Sequence, residues 1–231
     1  MRSLLTPRRA AVGVAAAAVA AGALLSQREV PAAPTVKLPA PTGRIAYQIK
    51  SSFMNGSATL AWAESGKRFR QDMDMKTSFP GAPKGQAPQS IKGWAISDGT
   101  YLYMHQANQG KTVKRIKMQG NTNPFASMMP MGGQVGNAGK VVGKATVLGK
   151  PCQIREAGGA KAWVWNGLPL KVEVAGPQQG GVQLNMNMTA TKLETAPKFA
   201  ANHFKVPSGY KIEEVKPRPL PAGPRPGAPK K

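Results

Sequence analysis

The sequence has little of the residues that most protein chemistry relies on. Of 231 residues one is cysteine, Cys152, and two are histidine, His105 and His203. A single cysteine excludes an internal disulfide and any zinc site built from several thiolates. With so few imidazoles, no metal and no cofactor is expected. Acidic residues are scarce too, 10 Asp plus Glu against 32 Lys plus Arg, for a net charge of +22. Such an imbalance favours polyanions, anionic lipid or acidic surfaces as partners, with solubility as the plain alternative. Long apolar runs are missing: the alanine-rich stretch 10–25 falls short of the about 20 strongly apolar residues of a membrane-spanning helix. No segment has a convincing amphipathic helical period, no Gly-x-Ser-x-Gly elbow is present, and no cluster of acids supports glycosidase chemistry. These gaps together predict a protein that is not an enzyme.

What is present falls into four parts. Residues 1–33, with Arg2, Arg8 and Arg9 ahead of the alanine-rich run, read as an export signal, with cleavage after Ala32 preferred over Ala23. The destination is then the periplasm or cell envelope of a bacterium. Residues 34–42 are a proline-rich lead, 43–215 a single domain, and 216–231 a basic, proline-rich tail with no core to join and expected to be disordered or extended. Lysines and arginines are spread singly along the strand faces, without the interleaved exposed aromatics of a nucleic-acid reader, so no nucleic acid is expected as partner.

The domain is written in period two. Ile45, Tyr47 and Ile49 alternate with polar residues, Ala58, Leu60 and Trp62 follow, and Asn55-Gly56 reads as the hairpin turn between them. In 66–78, Phe69, Gln71, Met73 and Met75 share one face while Arg68, Arg70, Asp72, Asp74 and Lys76 share a wet one. Residues 79–89 (FPGAPKGQAPQ) are a loop, Asp98-Gly99 is a hairpin turn, and 120–139 is a long interruption that reads as a flap. Short strands follow at 141–148, 152–156, 161–166 and 170–174, punctuated by Gly-Gly and Asn-Gly. In 182–193, Leu184, Met186, Met188 and Ala190 alternate with Asn185, Asn187, Thr189 and Thr191. Phe204–Tyr210 reads as the terminal strand. The predicted fold class is mainly β: a single strongly curved antiparallel sheet of about ten strands, an open half-barrel with little helix.

A set of short motifs resembles a known family. These are Gly66-Lys67-Arg68-Phe69-Arg70, the Ser97–Tyr103 hairpin (SDGTYLY), Gly149–Cys152 (GKPC), Trp163–Lys171 (WVWNGLPLK) and Phe204–Tyr210 (FKVPSGY). Over 43–212 the chain looks like the LolA-like superfamily of periplasmic lipoprotein carriers. The resemblance implies an open half-barrel whose concave face holds acyl chains or another apolar ligand. It lacks that family's initial amphipathic helix, because here the proline-rich lead runs directly into a strand.

Within such a sheet the candidate ligand-binding residues are Phe69, Met73, Met75, Met104, Met118, Trp163, Trp165, Leu184, Met186 and Met188. Flexible thioethers and large aromatics suit a cavity that accepts irregular chains, and equally suit an ordinary core. Copper(I) binding by Met128, Met129 and Met131 is chemically conceivable but has no His or Cys close in sequence to support it. Cys152 reads as a buried small hydrophobe, and Asp72 and Asp74 as partners of Arg68, Arg70 and Lys76. The predicted function is a monomeric exported protein that binds lipid or a lipidated protein. Its alternative is a structural or adhesive envelope protein with a solid core, whose basic tail holds anionic polymer or a membrane surface.

Overall fold

A computed structural model describes residues 38–77, 88–118, 139–179 and 182–215, excepting the side chains of 176–184. The export signal, most of the 79–89 loop, the 120–139 interruption up to residue 138, with Met128, Met129 and Met131, and the tail from 216 lie outside the described residues.

Twelve strands form one sheet: β1 (Gly43–Ser51), β2 (Met54–Ala63), β3 (Arg68–Thr77), β4 (Gln89–Ser97), β5 (Tyr101–Gln106), β6 (Thr112–Lys117), β7 (Lys140–Val147), β8 (Lys150–Ala157), β9 (Ala160–Trp165), β10 (Leu168–Gln179), β11 (Val182–Glu194) and β12 (Lys211–Glu214). Their order is β12-β6-β5-β4-β3-β2-β1-β11-β10-β9-β8-β7, so the sheet is open, with β12 and β7 at opposite edges. All neighbours are antiparallel except β12, which lies parallel to β6. The only helical pieces among the described residues are two 3-10 turns, 64–66 and 107–109.

Turn chemistry explains the meander from β7 to β10. Its three two-residue loops, 148–149, 158–159 and 166–167, have positive φ at both positions, the type I′ geometry that matches strand twist. Asp98-Gly99 also turns as its sequence predicts. Asp98 Oδ1 accepts from the backbone N–H of Thr100 and Tyr101 at 2.8 and 2.7 Å.

Asn55-Gly56 does not turn. Both residues sit inside β2, and the chain reverses instead at Ser52-Phe53. There the Ser51 hydroxyl accepts from the N–H of Phe53 and Met54 at 3.3 and 2.8 Å. Gly56 serves a close approach: a Cβ there would stand 2.1 Å from the Asp74 carbonyl oxygen and 2.8 Å from Met75 Sδ.

The core lies on one face of the sheet. Ile45, Trp62, Phe69, Ala162, Leu168, Leu170 and Val172 are completely buried there. The lead closes one end of it, with Leu38 packed on the core and Trp62 Nε1 donating to the Ala40 carbonyl at 3.0 Å.

The end of the chain departs from expectation. Residues 204–210 are not a strand; β12 begins at Lys211. After β11, residues 195–210 cross the face opposite the core from the interior of the sheet to its edge. Phe199 lies under Arg44 of β1, at 5.1 Å, and Phe204 under Arg68 of β3, at 5.2 Å. Tyr210 packs against Trp94 of β4 and His105 of β5. The face read as wet is therefore partly covered, and a second small cluster forms there from Trp94, Ile96, Val113, Tyr103, Val206 and Tyr210. Arg115 of β6 pairs with Glu214 of β12 and fixes the parallel edge.

Candidate functional site

Strand register arranges the core face in cross-strand rows, since directly paired residues share a face. One row reads Val172–Met188–Ile49–Gly56–Met75–Ile91. Its neighbour reads Ala190–Tyr47–Ala58–Met73–Gly93. The third is Leu193–Ile45–Leu60–Gln71–Ala95–Met104. The last is Gly43–Trp62–Phe69–Ser97–Leu102.

Bulk is unevenly distributed over these rows. Trp62, Phe69 and Leu102 fill the last row and are buried. Toward the middle, Gly56, Ala58, Gly93 and Ala95 provide almost no side chain, and methionines stand among them. Met73, in an interior strand, is 37% exposed. Glycine at 93 has its own cause, because a Cβ would lie 2.6 Å from the His105 carbonyl oxygen as β5 approaches.

The predicted residues are placed as follows. Phe69, Met75 and Met188 are buried in the core; Met104, Met118 and Met186 are partly buried and pack against it. Met118 also brings its sulfur within 3.7 Å of the Ser97 hydroxyl. Leu184 lies in β11, with its side chain outside the described residues. Trp163 and Trp165 alternate with the buried Ala160, Ala162 and Val164 and so belong to the opposite face of β9. They are half-buried, with Lys171 Nζ 4.4 Å above the Trp163 ring and Lys150 Nζ 5.1 Å above that of Trp165. The structure brings the methionines of β3, β5 and β11 to one face; the two tryptophans alternate to the other side of β9 while still packing against core residues.

The opposite face carries a recess of about 310 Å³ between β2, β3, β4 and β5 and the crossing segment. Ser57, Thr59, Asp72, Asp74 and Lys92 form its polar side, Trp94, His105 and Tyr210 its aromatic side, and Met73 and Gly93 also border it. Asp72 accepts a forked pair of bonds from Arg70, at 2.8 Å from both Nε and Nη2, and this raises the Arg70 pKa further. Asp74 pairs with Lys92 at 2.9 Å, not with Lys76. Each carboxylate thus has its own cation, an arrangement of structural ion pairs. His105 is held by its Nδ1 at 3.0 Å from the Thr112 carbonyl oxygen and by the rings of Trp94 and Tyr210. Period-two alternation could place Trp94 and His105 on one face, but no local signal brings Tyr210 to them from a hundred residues away.

Cys152 is buried, its thiol directed at the Lys150 carbonyl at 3.4 Å, and burial pushes its pKa up. That is the opposite of what activates a thiol. Among the described residues no three His, Cys, Asp or Glu side chains gather as a metal site.

No protein-family model matches the sequence, and no curated protein does. Solved structures show remote likeness. An uncharacterized conserved protein from Thermus thermophilus is 8% identical at a TM-score of 0.46, covering 78% of this chain and 95% of that one. MucB is 15% identical at 0.41, covering 76% of this chain and 60% of its own. MucB bound to MucA from Pseudomonas aeruginosa is 14% identical at 0.37, covering 79% and 62%. This chain therefore spans less than two thirds of MucB. Likeness this remote carries no information about what the chain binds.

Proposed function

We propose that the chain is an exported, non-enzymatic binding protein of the bacterial periplasm or cell envelope, which holds a lipid, a lipoprotein acyl chain or another apolar ligand along the methionine-bearing face of its open sheet. The uneven filling of that face supports this. Gly56, Ala58, Gly93 and Ala95 add almost no side-chain bulk to its middle rows, Met73, Met75 and Met104 stand among them, and Met73 is 37% exposed in an interior strand. A face that only seals a core gains most from large, stiff side chains packed without gaps. Unbranched thioethers beside small residues can instead repack around chains of varying shape. Native mass spectrometry of the protein purified from its own host tests the proposal: a copurifying lipid is expected, and it should be lost in Met73→Lys. Protein that carries no lipid and takes up none on incubation with fatty acid would overturn it.

A further inference from the structure

Leu148 is a branched apolar side chain held at a φ of +51° and left 42% exposed. The other non-glycine residues at positive φ among those described, Glu64, Ser65 and Asn166, are all polar. The first position of a type I′ turn favours Asn, Asp or Gly, as Asn166 and Gly158 illustrate in the two following hairpins. A leucine there carries a conformational cost and gains no burial. Folding does not account for it.

β7, the edge strand that leads into Leu148, is itself poorly covered. Val141 and Val142, at its other end, are both 47% exposed, so three of the five exposed large hydrophobics among the described residues belong to β7 and its turn. Residues 139–175 contain six Lys or Arg and two Asp or Glu. Antiparallel pairing of Gln153 with Val164 brings the 148–149 and 166–167 turns to the same end of the sheet. There Lys150, two residues from Leu148, covers Trp165, and Lys171 covers Trp163.

We propose that this edge of the sheet docks on the surface of an anionic bilayer. Leu148 enters the acyl boundary, Trp163 and Trp165 lie at headgroup depth, and the lysines meet lipid phosphates. Indole and lysine are the side chains that suit an interface with one apolar and one charged side, and anionic headgroups complement the basic excess. An acidic peptide added as a strand along β7 would also match the charge. The register slip between Val141 and Gly143 interrupts the ladder such a strand needs, and strand addition leaves Leu148 without a role. The surface lies on strands away from Met73, so its failure and that of the methionine face are separable.

The test compares sedimentation of the full chain with vesicles of phosphatidylglycerol and of phosphatidylcholine. Binding to the first is expected, reduced about tenfold by Leu148→Asn from the loss of one buried leucine. Asparagine suits the turn, so this variant should melt no lower than the wild type, which separates docking from folding. In mixed vesicles containing brominated phosphatidylcholine the tryptophan emission should be quenched, and less so in Trp165→Phe. Undiminished binding by Leu148→Asn, or emission untouched by the brominated lipid, would overturn the proposal. So would a polyglutamate peptide that binds in a Leu148-dependent way when vesicles do not.

Discussion

The hydroxyl of Tyr47 donates to the Pro169 carbonyl oxygen across 2.9 Å and so ties β1 to β10 over the intervening β11. It does so next to the point where the register between β10 and β9 slips, between Pro169 and Lys171. Tyr47 is buried in the row that contains Met73. Removing the hydroxyl leaves a buried carbonyl short of a partner. Tyr47→Phe should lower stability by about 1–2 kcal/mol in urea unfolding, with an unchanged dependence on denaturant.

The same group sets a limit at high pH. Burial pushes the Tyr47 phenol well above its ordinary value. As pH rises past about 10 the unfolded chain loses this proton while the folded chain keeps it, so stability falls. Burial also raises Tyr103, to which the same sign applies. Thermal melts between neutral pH and strongly alkaline conditions should show a decline that is clearly smaller in Tyr47→Phe.

His203 should make itself felt at the acid side. Its ring stacks on Phe199 at 4.6 Å and meets Phe204 edge-on at 4.9 Å, with Nε2 buried and unpartnered. Burial first, then the Arg70 and Arg44 charges, lower its pKa, against a smaller opposite pull from Asp72. Below about 6.5 the unfolded chain therefore takes up a proton that the folded chain resists, and stability drops as pH falls. The drop should be absent from His203→Gln, and a pH profile unchanged by that substitution would contradict the packing of the crossing segment.

The two residues that exchange roles at the first hairpin give a third contrast. Gly56→Ala should cost at least about 2 kcal/mol, because a methyl group there meets the β3 backbone. Ser51→Ala should cost about 1 kcal/mol through loss of the bonds that close the turn. If Asn55-Gly56 were the turn, Ser51→Ala would be silent.

Most strands are legible in the sequence because burial on one face imposes period two, as in Ile45-Tyr47-Ile49 and Phe69 to Met75. The Asn166-Gly167 turn is legible because positive φ selects both residues, and Asp98-Gly99 because the Asp98 carboxylate caps the turn and Gly99 takes the positive φ. Gly56 misleads, since glycine permits a close approach as readily as a turn. Alternation separates Trp163 and Trp165 from Ala162 and Val164 but does not say which set faces the core; the pairing of Ala162 with Val172 decides that. The crossing segment is illegible for a different reason. Phe199, Phe204 and Tyr210 have no periodicity of their own, and their partners Arg44, Arg68 and Trp94 are remote in sequence.

The most direct measurement of the central claim is titration of a fluorescent long-chain fatty acid into the full chain and into Met73→Lys and Asp74→Asn, which change opposite faces of β3. Saturable binding by the wild type, retained in Asp74→Asn and lost in Met73→Lys while both variants stay folded, is the predicted result. Absence of binding by the wild type, or a loss that follows Asp74 and spares Met73, would contradict an apolar ligand on the methionine face.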